Sequence, residues 1–189
     1  MPDPFYLTRH GQSEWNVLRL TQGQTSHPRL TDLGREQAVL AALRIKRDLG
    51  GAAVSRILTS DLVRAVETAQ IIATIAGGAV EADPRLREQA LGALEGKTYD
   101  ETWAAAEAHE WSDPTLPVAG GESPADVRDR MAAALAEVPR RGPTVLVSHG
   151  DAIRAAVGHL RGEPAHRTTW VEVPNGAVAR VDTAVTWLD

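Results

Sequence analysis

Two histidines and two arginines stand where short apolar runs end. Phe5–Thr8 stops at Arg9-His10-Gly11, and Thr144–Val147 stops at Ser148-His149-Gly150. A third run, Val54–Thr59, leads into Ser60-Asp61-Leu62-Val63-Arg64. Read as strands of an open α/β sheet, these runs deliver their following residues to the carboxyl ends, where such sheets bind ligands. The glycine after each histidine lets the backbone turn tightly and lets a ligand approach. One histidine or one arginine in such a place is usually structural. Four of them converging on one rim point to chemistry.

The chemistry this set suits is phosphoryl transfer. A phosphate ester is a dianion, and its transfer depends mainly on positioning and on electrostatic stabilisation of the equatorial oxygens. Arginine binds two such oxygens with a planar fork that stays charged. A neutral imidazole can attack phosphorus in line, and a second can donate to the oxygens. The leaving alkoxide then needs a proton, which a carboxylic acid can supply and later take back from water.

The elements that must position these residues can be read from periodicity. Thr31 or Asp32 caps a helix whose apolar face is Ala38, Ala41, Ala42, Ile45 and Leu49, ending at Gly50-Gly51. Leu62, Ala65, Ala69, Ile72, Ala73 and Ala76 mark a second helix, ending at Gly77-Gly78. Residues 83–96 read as irregular, and a helical patch covers Thr98–His109. Ser123 caps a further helix with Val127, Met131, Leu135 and Val138 aligned, and Ile153, Val157 and Leu160 give the last helical face. Trp170–Val173 and Val178–Val181 flank Pro174-Asn175-Gly176, which predicts a terminal hairpin. This alternation predicts an α/β fold: a three-layer sandwich with a mostly parallel central sheet, one antiparallel strand, and helices on both faces. No composition shift marks a second domain, so residues 1–189 read as one domain with a short lid or insertion around 97–122. The hairpin offers an edge at which a homodimer can form, and the oligomeric state stays open.

Bulk properties narrow the function classes. The chain has 189 residues, 43% hydrophobic and 24% charged, with a formal net charge of −5. That balance argues against nucleic acid as the main partner, because binding a phosphate backbone needs a basic face. No apolar stretch approaches the roughly 20 residues of a membrane span. The first residues carry neither a long apolar run nor a basic leader, which predicts a cytoplasmic protein. With no cysteine, disulfides and thiolate metal sites are excluded. His27, His109, His159 and His166 lack metal-ligand spacing. Of these, His27 sits nearest a predicted site loop. Neither Gly-x-x-x-x-Gly-Lys nor Gly-x-Gly-x-x-Gly is present, so no metal and no cofactor is expected.

Arg9-His10-Gly11-Gln12-Ser13 with Asn16 resembles the signature of the histidine phosphatase superfamily, the phosphoglycerate mutase-like proteins. Further motifs follow in the same order: Gln22-Gly23, Leu30-Thr31 with Gly34, Ser60-Asp61-Leu62 with Arg64-Ala65 and Thr68-Ala69, and Leu86 with Glu88. Gly92 with Glu95-Gly96, Gly120-Gly121-Glu122-Ser123 and Val147-Ser148-His149-Gly150 complete the set. The resemblance covers about residues 5–155. It implies that His10 is the nucleophile that becomes phosphohistidine and that Arg9, Arg64 and His149 hold the phosphoryl oxygens. It implies Glu88 as proton donor and acceptor, with Glu95 the nearby competitor that its Gly96 neighbour marks as a structural turn. Asn16 would help hold the phosphoryl group, and Gln22 and Gly23 would line the substrate side. Ser13 stands where the family usually has threonine, which keeps the hydroxyl. Glu122 and Ser123 read as helix-start residues.

The resemblance leaves two activities with a common first step. A mutase returns the phosphoryl group to a substrate hydroxyl, whereas a phosphatase passes it to water. Mutases of the family usually carry a longer segment before the second histidine, with paired arginines for the substrate carboxylate. Here 97–119 is short, contains no arginine and carries Trp103 and Trp111. The expectation is the phosphatase branch: a metal-independent phosphomonoester hydrolase of a small phosphorylated metabolite. A cofactor-dependent phosphoglycerate mutase is the alternative. A catalytically silent phosphate-binding module is a weaker third reading, since none of the expected catalytic residues is missing.

Overall fold

The computed structural model describes residues 3–138 and 141–189. In chain order its elements are β1 (Phe5–Arg9), α1 (Glu14–Val17), α2 (Asp32–Asp48), β2 (Arg56–Thr59), α3 (Val63–Ala76), β3 (Ala79–Ala82), α4 (Tyr99–Glu107), α5 (Pro124–Ala136), β4 (Thr144–Ser148), α6 (Gly150–Leu160), β5 (Val178–Val181) and β6 (Val185–Leu188). The strands form one sheet in the order β3-β2-β4-β1-β5-β6. The β1–β4, β2–β4 and β2–β3 pairs are parallel, while β5 runs antiparallel to both β1 and β6. One strand out of six is therefore reversed, as expected. Helices cover both faces, which makes the three layers.

The two faces follow from the two-residue period of a strand. On β1, Phe5 and Leu7 join a core made with α5 and α6, while Tyr6 between them joins the core made with α2 and α3. On β4, Leu146 serves the first core and Val145 and Val147 the second. Both strands are central and buried on both sides, so they read as unbroken apolar runs. Because β1 and β4 are adjacent and parallel, with Arg9 in register with Ser148, His10 and His149 leave the same sheet edge side by side. The sequence neighbours are far apart, and strand pairing alone unites them.

The turn after β1 is held by direct backbone contact with the start of α2. A Cβ on Gly11 would lie 2.0 Å from the Gly34 carbonyl oxygen, and one on Gly34 would lie 2.0 Å from that of Gln12. Only glycine fits at both positions. Thr31 caps α2 by accepting from the Gly34 N–H at 3.0 Å, which settles the choice between Thr31 and Asp32.

The terminal hairpin is displaced from its predicted place. Trp170–Val173 is not a strand, and β5 pairs instead with β6, which has no clear signal in its sequence. The reason is that carbonyls of the 170–173 stretch are taken by arginine side chains. Arg9 Nη1 donates to Val173 O at 2.6 Å and Arg154 Nε to Val171 O at 3.0 Å. The Asn175-Gly176 turn binds the site instead: Gly176 N–H and Asn175 Nδ2 both donate to the His10 carbonyl, at 3.2 and 3.1 Å. The four-residue exposed edge strand β3 and the short α1 are also absent from the sequence reading.

Candidate active site

His10 is 2% exposed and His149 fully buried, with ring centroids 5.0 Å apart. His10 Nδ1 lies 2.6 Å from the Gly11 carbonyl oxygen. A carbonyl only accepts, so Nδ1 carries the proton and Nε2 keeps its lone pair. Burial, then the charges of Arg64 and Arg9, hold the His10 pKa well below 6.5. The imidazole is neutral and its tautomer is fixed. His149 Nε2 is 2.9 Å from Ser60 Oγ, which already accepts from the Leu62 N–H at 3.3 Å. Ser60 Oγ can donate to Nε2 or accept from it, and the other ring nitrogen, Nδ1, is buried without a partner. Burial and Arg64 push this histidine well down too.

Arg64 sits in the first turn of α3 and is 1% exposed. Its Nη1 donates to Thr25 O and its Nη2 to Gly23 O, both at 2.8 Å. The loop carrying Gln22 and Gly23 thus orients the guanidinium. Gly23 has φ +46°, and a Cβ there would lie 2.3 Å from a Glu95 carboxylate oxygen. Glu95 accepts from the N–H groups of Gln24 (3.0 Å) and Leu91 (3.1 Å), so it fastens this loop. Arg64 Nε and Arg9 Nε are both buried without partners. Burial lowers the Arg64 pKa to about 10, and the group stays cationic at neutral pH. Two unpartnered N–H donors, from β1 and α3, therefore belong to the arginines whose charges act on the neutral His10 imidazole, and His149 packs against its ring. Left unpaired, each such buried donor costs about 1–3 kcal/mol.

Glu88 follows a 3-10 turn at Pro84–Leu86 and meets the N-terminus of α6. Its Oε1 accepts from the N–H groups of Gln89 (3.0 Å), Asp151 (3.1 Å) and Ala152 (3.0 Å), while Oε2 has only Asp151, at 3.2 Å. Oε2 is thus the oxygen with capacity to carry a proton. Burial, then the charge of Asp151, raises the Glu88 pKa against the opposing N–H bonds and Arg9. A raised carboxyl near a cationic pocket suits a general acid.

A clamp that sequence reasoning missed holds this segment. Arg130 donates from Nη1 to the carbonyls of Arg85 (2.8 Å) and Arg87 (2.6 Å), and from Nη2 to that of Glu88 (2.9 Å). Glu122 anchors it through Arg130 Nε at 2.7 Å and itself accepts from the Ala90 N–H at 2.8 Å. Ser123 is the N-cap of α5, accepting from the Asp126 N–H at 3.1 Å. Ser123 begins that helix as expected, whereas Glu122 lies just before the cap and, through Arg130, positions the Glu88 backbone. A glutamate beside a glycine pair gives no sign of this.

The site opens into a cleft of about 650 Å³. Arg9, His10, Asn16, Gln22, Gly23, Arg64 and Glu88 all line it, while His149, fully buried against the His10 ring, is not in the lining. Asn16 Oδ1 accepts from Ser13 N–H at 2.9 Å and Asn175 Nδ2 at 3.3 Å, and Ser13 Oγ lies 2.8 Å from Gln22 Oε1. Ser13 thus joins Asn16 to Gln22, through its N–H on one side and its hydroxyl on the other. The 97–122 segment supplies Tyr99, Thr102, Trp103 and Trp111 to the wall, and Trp170 faces them from beyond α6. Trp15 and His27 do not line the cleft and stack edge-on to each other at 5.0 Å. Among the described residues no cluster of three or more His, Asp or Glu is placed to hold a metal ion, and no helix is long and apolar enough to cross a membrane.

Residues 5–185 match the family model of the histidine phosphatase superfamily, branch 1. The chain belongs to this superfamily. Within it, a protein named probable phosphoglycerate mutase GpmB from Photorhabdus laumondii is 39% identical, with 94% of this chain and 83% of that one covered. A mycobacterial glucosyl-3-phosphoglycerate phosphatase, solved with VO3, is 32% identical with a TM-score of 0.80, covering 99% of this chain and 97% of its own. A phosphoserine phosphatase mutant from Entamoeba histolytica, solved with phosphoserine, is 25% identical with a TM-score of 0.81, covering 98% and 94%. The superfamily therefore spans phosphatases and mutases, both enzymes, close to this chain.

Proposed function

We propose that the protein is a phosphomonoester hydrolase that acts on a small phosphorylated metabolite through a phosphohistidine on His10. The observation that carries this reading is the neutral His10 imidazole with its Nε2 lone pair free, under the charges of Arg9 and Arg64, whose Nε–H donors are buried without partners. In the first step Nε2 attacks phosphorus in line. The P–O ester bond breaks, and the leaving oxygen takes the Glu88 proton. Arg9, Arg64 and His149 meet the charge on the equatorial oxygens, with Asn16 and Gln22 toward the substrate. In the second step water attacks phosphorus and gives a proton to the Glu88 carboxylate. The P–N bond breaks, and its electron pair returns to Nε2. Neither step calls for a metal or an organic cofactor.

The alternative is a phosphoglycerate mutase, and the name of the 39%-identical relative favours it. The cleft wall favours water as acceptor. The 97–122 part of that wall is aromatic and apolar, with Trp103 and Trp111 half exposed, and offers no paired arginines to hold a product for rebinding. The test is a phosphate-release screen over metabolite esters, with 3-phosphoglycerate plus its bisphosphate primer as the mutase control. Release of inorganic phosphate, with acid-labile labelling of the wild type and none of His10→Ala, is the expected result. Interconversion of phosphoglycerates without release would establish the mutase. Unchanged turnover in a folded His10→Ala would sink the phosphohistidine.

A further inference from the structure

The outer cleft contains a cation that the phosphoryl site does not use. Arg128 lies on α5 and lines the cleft beside Pro124 and Val127. Its Nη1 is buried and has no hydrogen-bond partner among the described residues. The acid that feels its charge is Glu163, but that carboxylate accepts from the Thr169 N–H at 2.7 Å and faces Arg161 at 4.0 Å. Nearby arginines are occupied. Arg130, two residues on, is the clamp over Glu88, and Arg154 bonds Val171 O and Asp151 while its guanidinium carbon lies 3.9 Å from the Trp170 ring centroid.

A buried guanidinium nitrogen without an acceptor is costly. The same wall carries other polar groups. The turn at Ala165–Arg167 packs against α5 and brings His166, with Thr168 after it, to the cleft. His10 and Arg128 line one continuous cavity, so a single molecule can reach both.

We propose that Arg128, with His166 and Thr168, forms a second anion subsite that receives an acidic group on the leaving-group side of the substrate. The substrate class is then a phosphomonoester with its own carboxylate or second phosphate, rather than the phosphate of a neutral alcohol. This rests on the hydrolase reading above, because it assigns the leaving group to the outer cleft.

The test compares matched esters in wild type and Arg128→Gln. 3-Phosphoglycerate against glycerol 3-phosphate isolates the carboxylate, and fructose 1,6-bisphosphate against fructose 6-phosphate isolates the second phosphate. Wild type should favour the acidic member of one pair. Arg128→Gln should cut kcat/KM for that member by roughly ten- to a hundredfold, the worth of a charged hydrogen bond, and leave the neutral member and nitrophenyl phosphate unchanged. The pair that responds names the acid. Equal losses on acidic and neutral members, or no loss on either, would overturn the subsite while leaving the hydrolase intact. Calorimetric binding to His10→Ala, with and without Arg128→Gln, separates the two ideas. If no ester is hydrolysed, the hydrolase reading fails, and the subsite stands or falls on whether the acidic member loses binding in the double variant.

Discussion

At the scale of single residues, each side chain of the site has its state set by an identifiable neighbour. The Gly11 carbonyl fixes the His10 tautomer, Ser60 holds the His149 ring, and three backbone N–H groups hold Glu88. Glu88 is the most testable. Glu88→Gln preserves its shape and removes the transferable proton. Turnover of alkyl phosphates should fall by about 10²–10³, within the usual range for general acid catalysis, while nitrophenyl phosphate should lose far less. The Glu88 pKa is raised, so the acid form persists above the usual glutamate range and is lost as pH rises through the raised value. The wild-type kcat for alkyl esters should therefore fall along a basic limb that is missing in Glu88→Gln. Equal losses on both ester types would remove Glu88 from the acid role.

Between elements, the site depends on joints. The 9–13 turn meets α2 backbone to backbone at Gly11 and Gly34, the 22–25 loop orients Arg64, and Arg130 ties α5 to the segment that presents Glu88. The Arg130–Glu122 pair is mostly buried, with side-chain exposures of 15% and 22%. Removing one member leaves the other charge and three carbonyls without their partner. Arg130→Ala should cost about 2–4 kcal/mol, less than a fully buried pair because some water reaches it. It should also lower kcat for alkyl phosphates more than it alters KM, because Glu88 loses its support. A urea midpoint and kcat both equal to wild type would show that the clamp does not hold the segment.

For the whole molecule, burying two neutral histidines links folding to pH. Both fold with pKa values well below 6.5, burial being the main cause and Arg64 the next. The unfolded chain titrates them near 6.5 and so binds protons that the native state does not. Their contribution to stability is present above about pH 6.5 and is lost as the pH falls below it. Glu88, raised, works in the opposite direction: its folded form gains protons on acidification. Two groups against one leave a net loss. Thermal melting from pH 8 to 5 should show a falling Tm in wild type and a flatter profile in His10→Asn/His149→Asn. The same slope in both would mean these histidines are not the linked groups.

The properties that the sequence determined by itself are those governed by local periodicity and by short motifs. The unbroken apolar runs of β1 and β4, the capped faces of α2 and α5, and Arg9-His10-Gly11 were legible because each depends on a few adjacent residues. So were the three-layer α/β architecture with one reversed strand and the superfamily itself. Tertiary structure alone decided the rest. Trp170–Val173 has strand character yet yields its carbonyls to Arg9 and Arg154, and β6 takes its place beside β5. Glu122 looks like a helix-start residue and also anchors the clamp, because Arg130 reaches it only once α5 has packed. The charge state of His10 belongs to the same class. Its position at a strand end follows from the chain, but its neutrality comes from burial and from the charge of Arg64, which helix packing brings from 54 residues away, while strand pairing lays His149, 139 residues on, against its ring.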